Sequence, residues 1–264
     1  MKRSIIVLAA VLSLAACKNQ EKKDTAQPKE VVEATPESVA AVDLDVTPIV
    51  HASMVLGWND KTIYVDPVGN ASAYQDQPDA DLILVTDIHR DHLSIDLITQ
   101  LSKQQTKIIA PQAVADSLGG LQDKVMVLSN GQTLSEAGIS IEAIPMYNLR
   151  QEALDFHTKG RGNGYVLEQD GFRAYISGDT EDIPEMLELK DIDVAFVCVN
   201  LPYTMSEKQA ADAVAQFQPK KVYPYHYRGS VGLSNMAAFK LWVEKTDKTN
   251  SIEVVQLDWY PEAK

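Results

Sequence analysis

The chain has 264 residues, with 37 Asp and Glu against 24 Lys and Arg, a formal net charge of −13, and 45% hydrophobic residues. Nucleic acid is excluded as a partner, as is any general attraction to anionic lipid, because phosphate backbones and anionic head groups bind basic surfaces. The apolar content suits one sizeable domain with a full core, and no internal repeat is visible.

At the N-terminus, Lys2 and Arg3 precede the apolar run Ile5–Leu12, and Leu14-Ala15-Ala16-Cys17 closes the segment. A basic flank, a short apolar core and small residues before a cleavage point define a secretory signal over residues 1–16, too short for a membrane span. Cys17 resembles the lipidated cysteine of a bacterial lipoprotein, and this predicts an exported chain anchored by lipid to a membrane of the bacterial envelope. Residues 17–42, rich in Lys, Glu, Ala, Pro and Val, cannot bury a core and read as a tether. Residues 43–264 form the folded domain. With Cys17 acylated, Cys198 has no partner for an intramolecular disulfide and reads as a small core residue.

Within the domain, apolar patterning predicts strands near 47–57, 62–66, 82–86, 107–110, 125–128, 139–145, 164–169, 172–177, 194–199, 221–225 and 252–257. Helices are expected near 94–104, 111–118, 183–189, 206–217 and 234–245. The helix from Ser206 is the best supported: Ser206-Glu207-Lys208-Gln209 is a capping box, and Ala210, Val214 and Phe217 share one face.

The stretch Thr86-Asp87-Ile88-His89-Arg90-Asp91-His92, directly behind the apolar run Leu82–Val85, carries the chemistry. A buried strand that ends in imidazoles and carboxylates is costly unless an ion or a hydrogen-bond network satisfies them. Two later segments repeat the arrangement, with Asp179 following the strand-like Arg173–Ile176 and His226 following Val222–Tyr225. Open α/β sheets gather functional groups at such strand ends. The expectation is a metal-dependent hydrolase whose one sheet edge collects Asp87, His89, Asp91, His92, Asp179 and His226.

This order of motifs resembles the metallo-β-lactamase-fold superfamily, whose hallmark is Thr-His-x-His-x-Asp-His followed by a bridging Asp and a final His. Val50-His51-Ala52-Ser53, Tyr64-Val65-Asp66-Pro67 and Gly178-Asp179-Thr180 look like the branch containing sugar-phosphate lactonases and N-acyl-phosphatidylethanolamine phospholipase D. The resemblance implies an αββα sandwich, two mixed β-sheets flanked by helices. It also implies one or two divalent metal ions, zinc foremost. Carried over by position, the first metal site comprises Asp87, His89 and Asn148. The second comprises Asp91, His92 and His226, with Asp179 between the two. Asp87 and Asn148 stand where the family has histidines. Oxygen ligands favour harder ions, so the first site is expected to prefer manganese or iron, or to stay empty.

His157 offers a replacement imidazole, against the alternatives of a solvated loop residue or a substrate contact. Its loop also carries Lys159 and Arg161 among glycines. Two cations near a metal suggest a small anionic substrate, while a glycine loop whose cations face water is the alternative. His51 and Tyr147 complete the expected substrate contacts, although each also reads as a packing residue. The implied mechanism is attack by a metal-activated water on a small ester, lactone or phosphodiester, with Asp91 and His226 as the catalytic residues. Asp66 is expected to fix a ligand imidazole. The competing expectation is an envelope lipoprotein that binds metal or ligand without turnover.

Overall fold

The computed structural model describes residues 42–261, so the signal, Cys17 and nearly all of the expected tether lie outside the described residues. The first sheet runs in chain order through β1 (Leu44–Val50), β2 (Ser53–Trp58), β3 (Lys61–Val65), β4 (Leu82–Leu84), β5 (Lys107–Ala110) and β6 (Val125–Val127). Its first three strands pair antiparallel and the rest parallel. The second sheet holds β7 (Thr133–Glu136), β8 (Ile139–Met146), β9 (Gly162–Gln169), β10 (Phe172–Ile176), β11 (Val194–Cys198) and β12 (Lys221–Tyr225). A short hairpin, β13 (Arg228–Gly229) with β14 (Gly232–Leu233), precedes the last strand, β15 (Glu253–Val254), which pairs parallel with β12.

Side-chain alternation separates the layers. Leu82 and Leu84 face the core shared with the second sheet, while Ile83 and Val85 face the opposite way, as the two-residue period of a strand requires. On that outer face they pack with Leu97 and Ile98 of α1 (Ile95–Leu101) and Val114 of α2 (Gln112–Ala115). The short α3 (Pro184–Leu187), α4 (Glu207–Phe217) and α5 (Met236–Thr246) cover the second sheet, with Ala210, Val214, Phe217, Phe239 and Val243 in the main core. Polar bonds pin the two sheets together. The Tyr165 hydroxyl donates to the Val85 carbonyl at 2.8 Å, and the Trp58 indole N–H donates to Gln169 at 2.7 Å. The expected αββα sandwich of two mixed sheets is therefore the observed architecture. No helix among the described residues is long and apolar enough to cross a membrane.

The local expectations differ from the structure in several places. The single strand expected over 47–57 is a hairpin, because His51 adopts a left-handed backbone (φ 53°) and turns β1 into β2. Strand β7 is polar and half-exposed, so no apolar alternation marks it. Helices expected over 111–118 and 183–189 shrink to a single turn each. The Ser206 cap is present, its side chain accepting from Gln209 N at 3.2 Å.

Candidate metal centre

The site assembles where strands of both sheets end. The chain leaves β4 through Val85 and Thr86 into a tight turn, in which the His92 and Leu93 amides both donate to the His89 carbonyl, at 2.9 and 2.8 Å. That turn throws His89, Asp91 and His92 to one side. At the end of β10, Gly178 (φ 61°) makes the turn to Asp179, and a Cβ there would lie 2.6 Å from Met146 Sδ, so no other residue fits without displacement. His226 follows β12 with φ 46°. Left-handed backbone at a residue other than glycine costs about 1–3 kcal/mol and concentrates at functional sites. His51, Asp66 (φ 45°) and His226 all share it.

Three groups of side chains present ligand atoms within 4.8 Å of one another: His92, Asp179 and His226; Asp87, His89 and His157; and His51, Asp91 and His226. In the first group, His226 Nε2 lies 3.3 Å from Asp91 and 3.5 Å from Asp179, and His92 Nε2 lies 3.4 Å from Asp179. At those distances His92 Nε2, His226 Nε2, both His157 nitrogens, Asp179 Oδ1 and also Asn148 Oδ1 are buried without a hydrogen-bond partner among the described residues. Buried polar atoms that lie this close together and still lack partners are costly unless an ion satisfies them. Imidazole nitrogens and carboxylates are the donors that zinc and its transition-row neighbours take, so the residues present fit such an ion.

The surrounding contacts prepare the His92 ring. Its Nδ1 lies 2.8 Å from Asp66 Oδ2, and the Thr86 amide and hydroxyl both donate to the same carboxylate at 2.7 Å. A carboxylate that accepts Nδ1–H leaves Nε2 as the free electron pair. Asp66 thus occupies the role expected for it. Burial lowers the proton affinity of His92 and His226, but the carboxylates of Asp179, with Asp66 or Asp91, outweigh it, raising His92 well above its ordinary value and His226 to about 9. The same imidazoles hold Asp179 well below the usual carboxylate range despite its burial. Without an ion, the neighbouring carboxylates thus bias both rings toward the protonated form. Metal uptake at pH 7, followed by calorimetry in two buffers of different ionisation enthalpy, is expected to release protons, with affinity rising with pH toward about 9 as His226 deprotonates. Buffer-independent heats would count against this.

The structure places the remaining expected residues as follows. Asp87 is fully buried, and Arg161 forks onto it, Nε to Oδ1 at 3.0 Å and Nη2 to Oδ2 at 2.9 Å, with His89 Nδ1 a further 2.9 Å from Oδ2. Asn148 donates its amide to the Ala153 and Tyr203 carbonyls, at 2.8 and 2.7 Å, and so braces the loop. His157 reaches into the site, its Nε2 3.2 Å from Asp179 and its ring 5.2 Å from that of His89. Lys159 and Tyr147 tie to Glu185, with Lys159 Nζ 2.7 Å from one oxygen and the Tyr147 hydroxyl 2.9 Å from the other. Arg161 and Lys159 thus each carry a carboxylate partner, Asp87 and Glu185. Gly162 serves backbone packing, since a Cβ there would lie 2.8 Å from the Thr86 carbonyl. His51 lines the rim, its ring 5.7 Å from that of His226 and its Nδ1 3.3 Å from the Tyr260 hydroxyl. Tyr225 accepts from Gly178 N and Tyr227 donates to the Leu257 carbonyl, so both hydroxyls serve the framework.

Four residues lining the hollow beside these groups had no role from sequence: Arg90, Phe156, Asn200 and Tyr203. Asn200 follows β11 just as His226 follows β12, so the strand-end rule applied to every strand would have found it.

The profile of the beta-lactamase superfamily domain matches residues 45–226. The chain belongs to this superfamily. A UPF0173 metal-dependent hydrolase of Thermococcus onnurineus is 32% identical over 176 residues, covering 63% of this chain and 77% of that protein. A solved structure from Parabacteroides distasonis, described as a candidate metal-dependent hydrolase, is 42% identical with a TM-score of 0.72, covering 81% of this chain and 93% of that one. The metallo hydrolase Igni18 of Ignicoccus hospitalis, at 20% identity, TM-score 0.68 and coverage of 81% and 95%, shares the fold. The chain is accordingly a metal-dependent hydrolase of the superfamily.

Proposed function

We propose that the protein hydrolyses a small ester, lactone or phosphodiester with one or two divalent ions, zinc foremost, and with manganese or iron suited to the position beside Asp87. The observation that carries this reading is the convergence of buried, unpartnered His92 Nε2, His226 Nε2 and Asp179 Oδ1 beside Asp91. Asp91, His92, Asp179 and His226 would hold one ion, and His89, His157 and Asp87 would hold the other. When bound, the ion lowers the proton affinity of a coordinated water toward neutrality and polarises the carbonyl or phosphoryl group.

The chain's own residues do the rest. Asp66 fixes the His92 tautomer, and Thr86 fixes Asp66. Asp91, less buried than Asp179 and held as a carboxylate against its burial by His226 and His92, accepts a hydrogen bond from the attacking water and orients it at the mouth of the site. His226 stands within 3.5 Å of both carboxylates and balances their charge as it shifts.

Protein stripped with a chelator is expected to lose turnover on a panel of lactones, esters and phosphodiesters, and reloading with zinc, manganese or ferrous iron should restore it. Stoichiometric metal with no turnover on any member would favour the binding lipoprotein instead.

For localisation, the Leu14-Ala15-Ala16-Cys17 ending supports a lipid anchor in a bacterial envelope. Wild-type protein is expected in the membrane fraction and Cys17→Ala in the soluble fraction. A variant that stays membrane-bound would count against the anchor.

A further inference from the structure

The hollow beside the candidate ligands has a volume of about 350 Å³, and its walls carry donors that have no acceptor among the described residues. Arg90 is exposed, stands in sequence between His89 and Asp91, and makes no hydrogen bond or ion pair among the described residues. Asn200 is 1% exposed; its Oδ1 accepts from the Thr204 hydroxyl, and its amide nitrogen has no acceptor among the described residues. The Tyr203 hydroxyl is likewise unpartnered among them. The only carboxylates lining the hollow are Asp91 and Asp179, which already face imidazoles. A guest must therefore bring the acceptor atoms.

The apolar part of the wall has a definite shape. Phe156, 38% exposed, meets Tyr203 edge-on with ring centroids 5.2 Å apart, an arrangement that leaves ring surface open to an apolar guest. Arg90 and Asp91 also line a neighbouring hollow with His51, Val68 and Gly69, so the cation stands where two cavities meet beside the site. In a chain of net charge −13, an exposed guanidinium without an ion-pair partner at the mouth of the site is a local cation available to an anionic ligand.

We propose that the substrate is a small organic oxyacid, a carboxylate or phosphate compound bearing an apolar or aromatic group, whose anionic oxygens are held by Arg90 beside the Asn200 amide and Tyr203 hydroxyl, with its apolar part on Phe156 and Tyr203. The identity of the cleaved bond rests on the hydrolase reading above; the recognition does not.

The test is equilibrium binding of phenylacetate, phenylphosphonate and neutral phenylacetamide to the metal-loaded full chain and to Arg90→Met, Arg90→Lys and Phe156→Ala, with metal content measured in each. A charge-assisted contact of this kind changes affinity about 10- to 100-fold. Arg90→Met is expected to weaken both anions by at least about 10-fold relative to phenylacetamide at unchanged metal content, with Arg90→Lys retaining part of the preference. Phe156→Ala is expected to weaken all three ring-bearing probes. The stronger-bound anion identifies the oxyacid, carboxylate or phosphate. An anion preference that survives Arg90→Met would overturn the proposal, since the ion alone would then hold the anion. Binding as expected without turnover of any ester or lactone would sink the hydrolase reading and leave this one standing. Turnover of neutral and acidic esters alike, indifferent to Arg90→Met, would do the reverse.

Discussion

His226→Asn is expected to remove about one bound ion per chain and to lower hydrolysis by about 1,000-fold or more, since an ion's stabilisation of transition-state charge amounts to several kcal/mol and each 1.4 kcal/mol is tenfold in rate. Asn is the informative substitution because His226 has φ 46°, a conformation that Asn tolerates and Ala does not. The backbone is then kept while the imidazole is lost. His92→Ala is expected to act in the same direction with an added structural cost. It strips the buried Asp66 carboxylate of its ring partner at 2.8 Å and leaves it the Thr86 amide and hydroxyl, so the cost falls below the roughly 3–5 kcal/mol of a fully orphaned buried charge. Elemental analysis with steady-state kinetics checks both variants, and unchanged metal content in the two together would refute the ligand assignment.

The second large effect is expected at the fork between Arg161 and Asp87. Removing the guanidinium in Arg161→Met leaves a fully buried carboxylate with His89 alone, so a loss of about 3 kcal/mol is expected, the lower end of the range because Arg161 keeps 19% of its side chain in solvent. Burial opposes the charge on Asp87, but His89, His92 and Arg161 outweigh it and hold the carboxyl below its ordinary value. A carboxylate lowered on folding stabilises above its unfolded value, so the contribution is present at neutral pH and is lost as acid titrates the group below about 4. Urea melts at pH 7 and pH 3 measure it, and a loss from Arg161→Met that is equal at both would disprove the charge origin. The same pair bears on the first ion. Asp87→His should move metal preference toward zinc, and pairing it with Arg161→Met should recover much of the lost stability, because an imidazole has no need of the guanidinium. Identical metal stoichiometry and zinc preference in wild type and both Asp87 variants would show that Asp87 takes no part in holding an ion.

Much of this site was legible because strands end where chemistry begins. The apolar run before Thr86, the Gly178-Asp179 turn and the Tyr225-His226 step each follow a strand, and the structure brings Asp87, His89, Asp91, His92, Asp179 and His226 together at one edge. The αββα layering was implied by the family resemblance of the motifs, which the alternation of predicted strands and helices fits. Contacts between distant segments were not legible. The fork from Arg161 to Asp87 spans 74 positions, and nothing local in Lys159-Gly160-Arg161 distinguishes a buried partner from open water. Asn148 reads as a substituted ligand by position, and only the folded loop supplies the two carbonyls that its amide nitrogen braces while its Oδ1 stays buried without a partner among the described residues. The break at His51 was hidden because a left-handed residue inside an apolar run leaves no compositional trace.

The donors of the His92, Asp179 and His226 group come from the ends of β4, β10 and β12, one in the first sheet and two in the second. A ribosome emitting the chain from its N-terminus therefore produces His92 long before the groups that complete the set, and a half-finished protein cannot hold the ion firmly. The set is complete only when β12 lies beside β11, so metal capture there would be a late event and a report that both sheets have met. An ion held by these three groups would join segments that are remote along the chain, and pulling either sheet away from the other would first have to break that coordination.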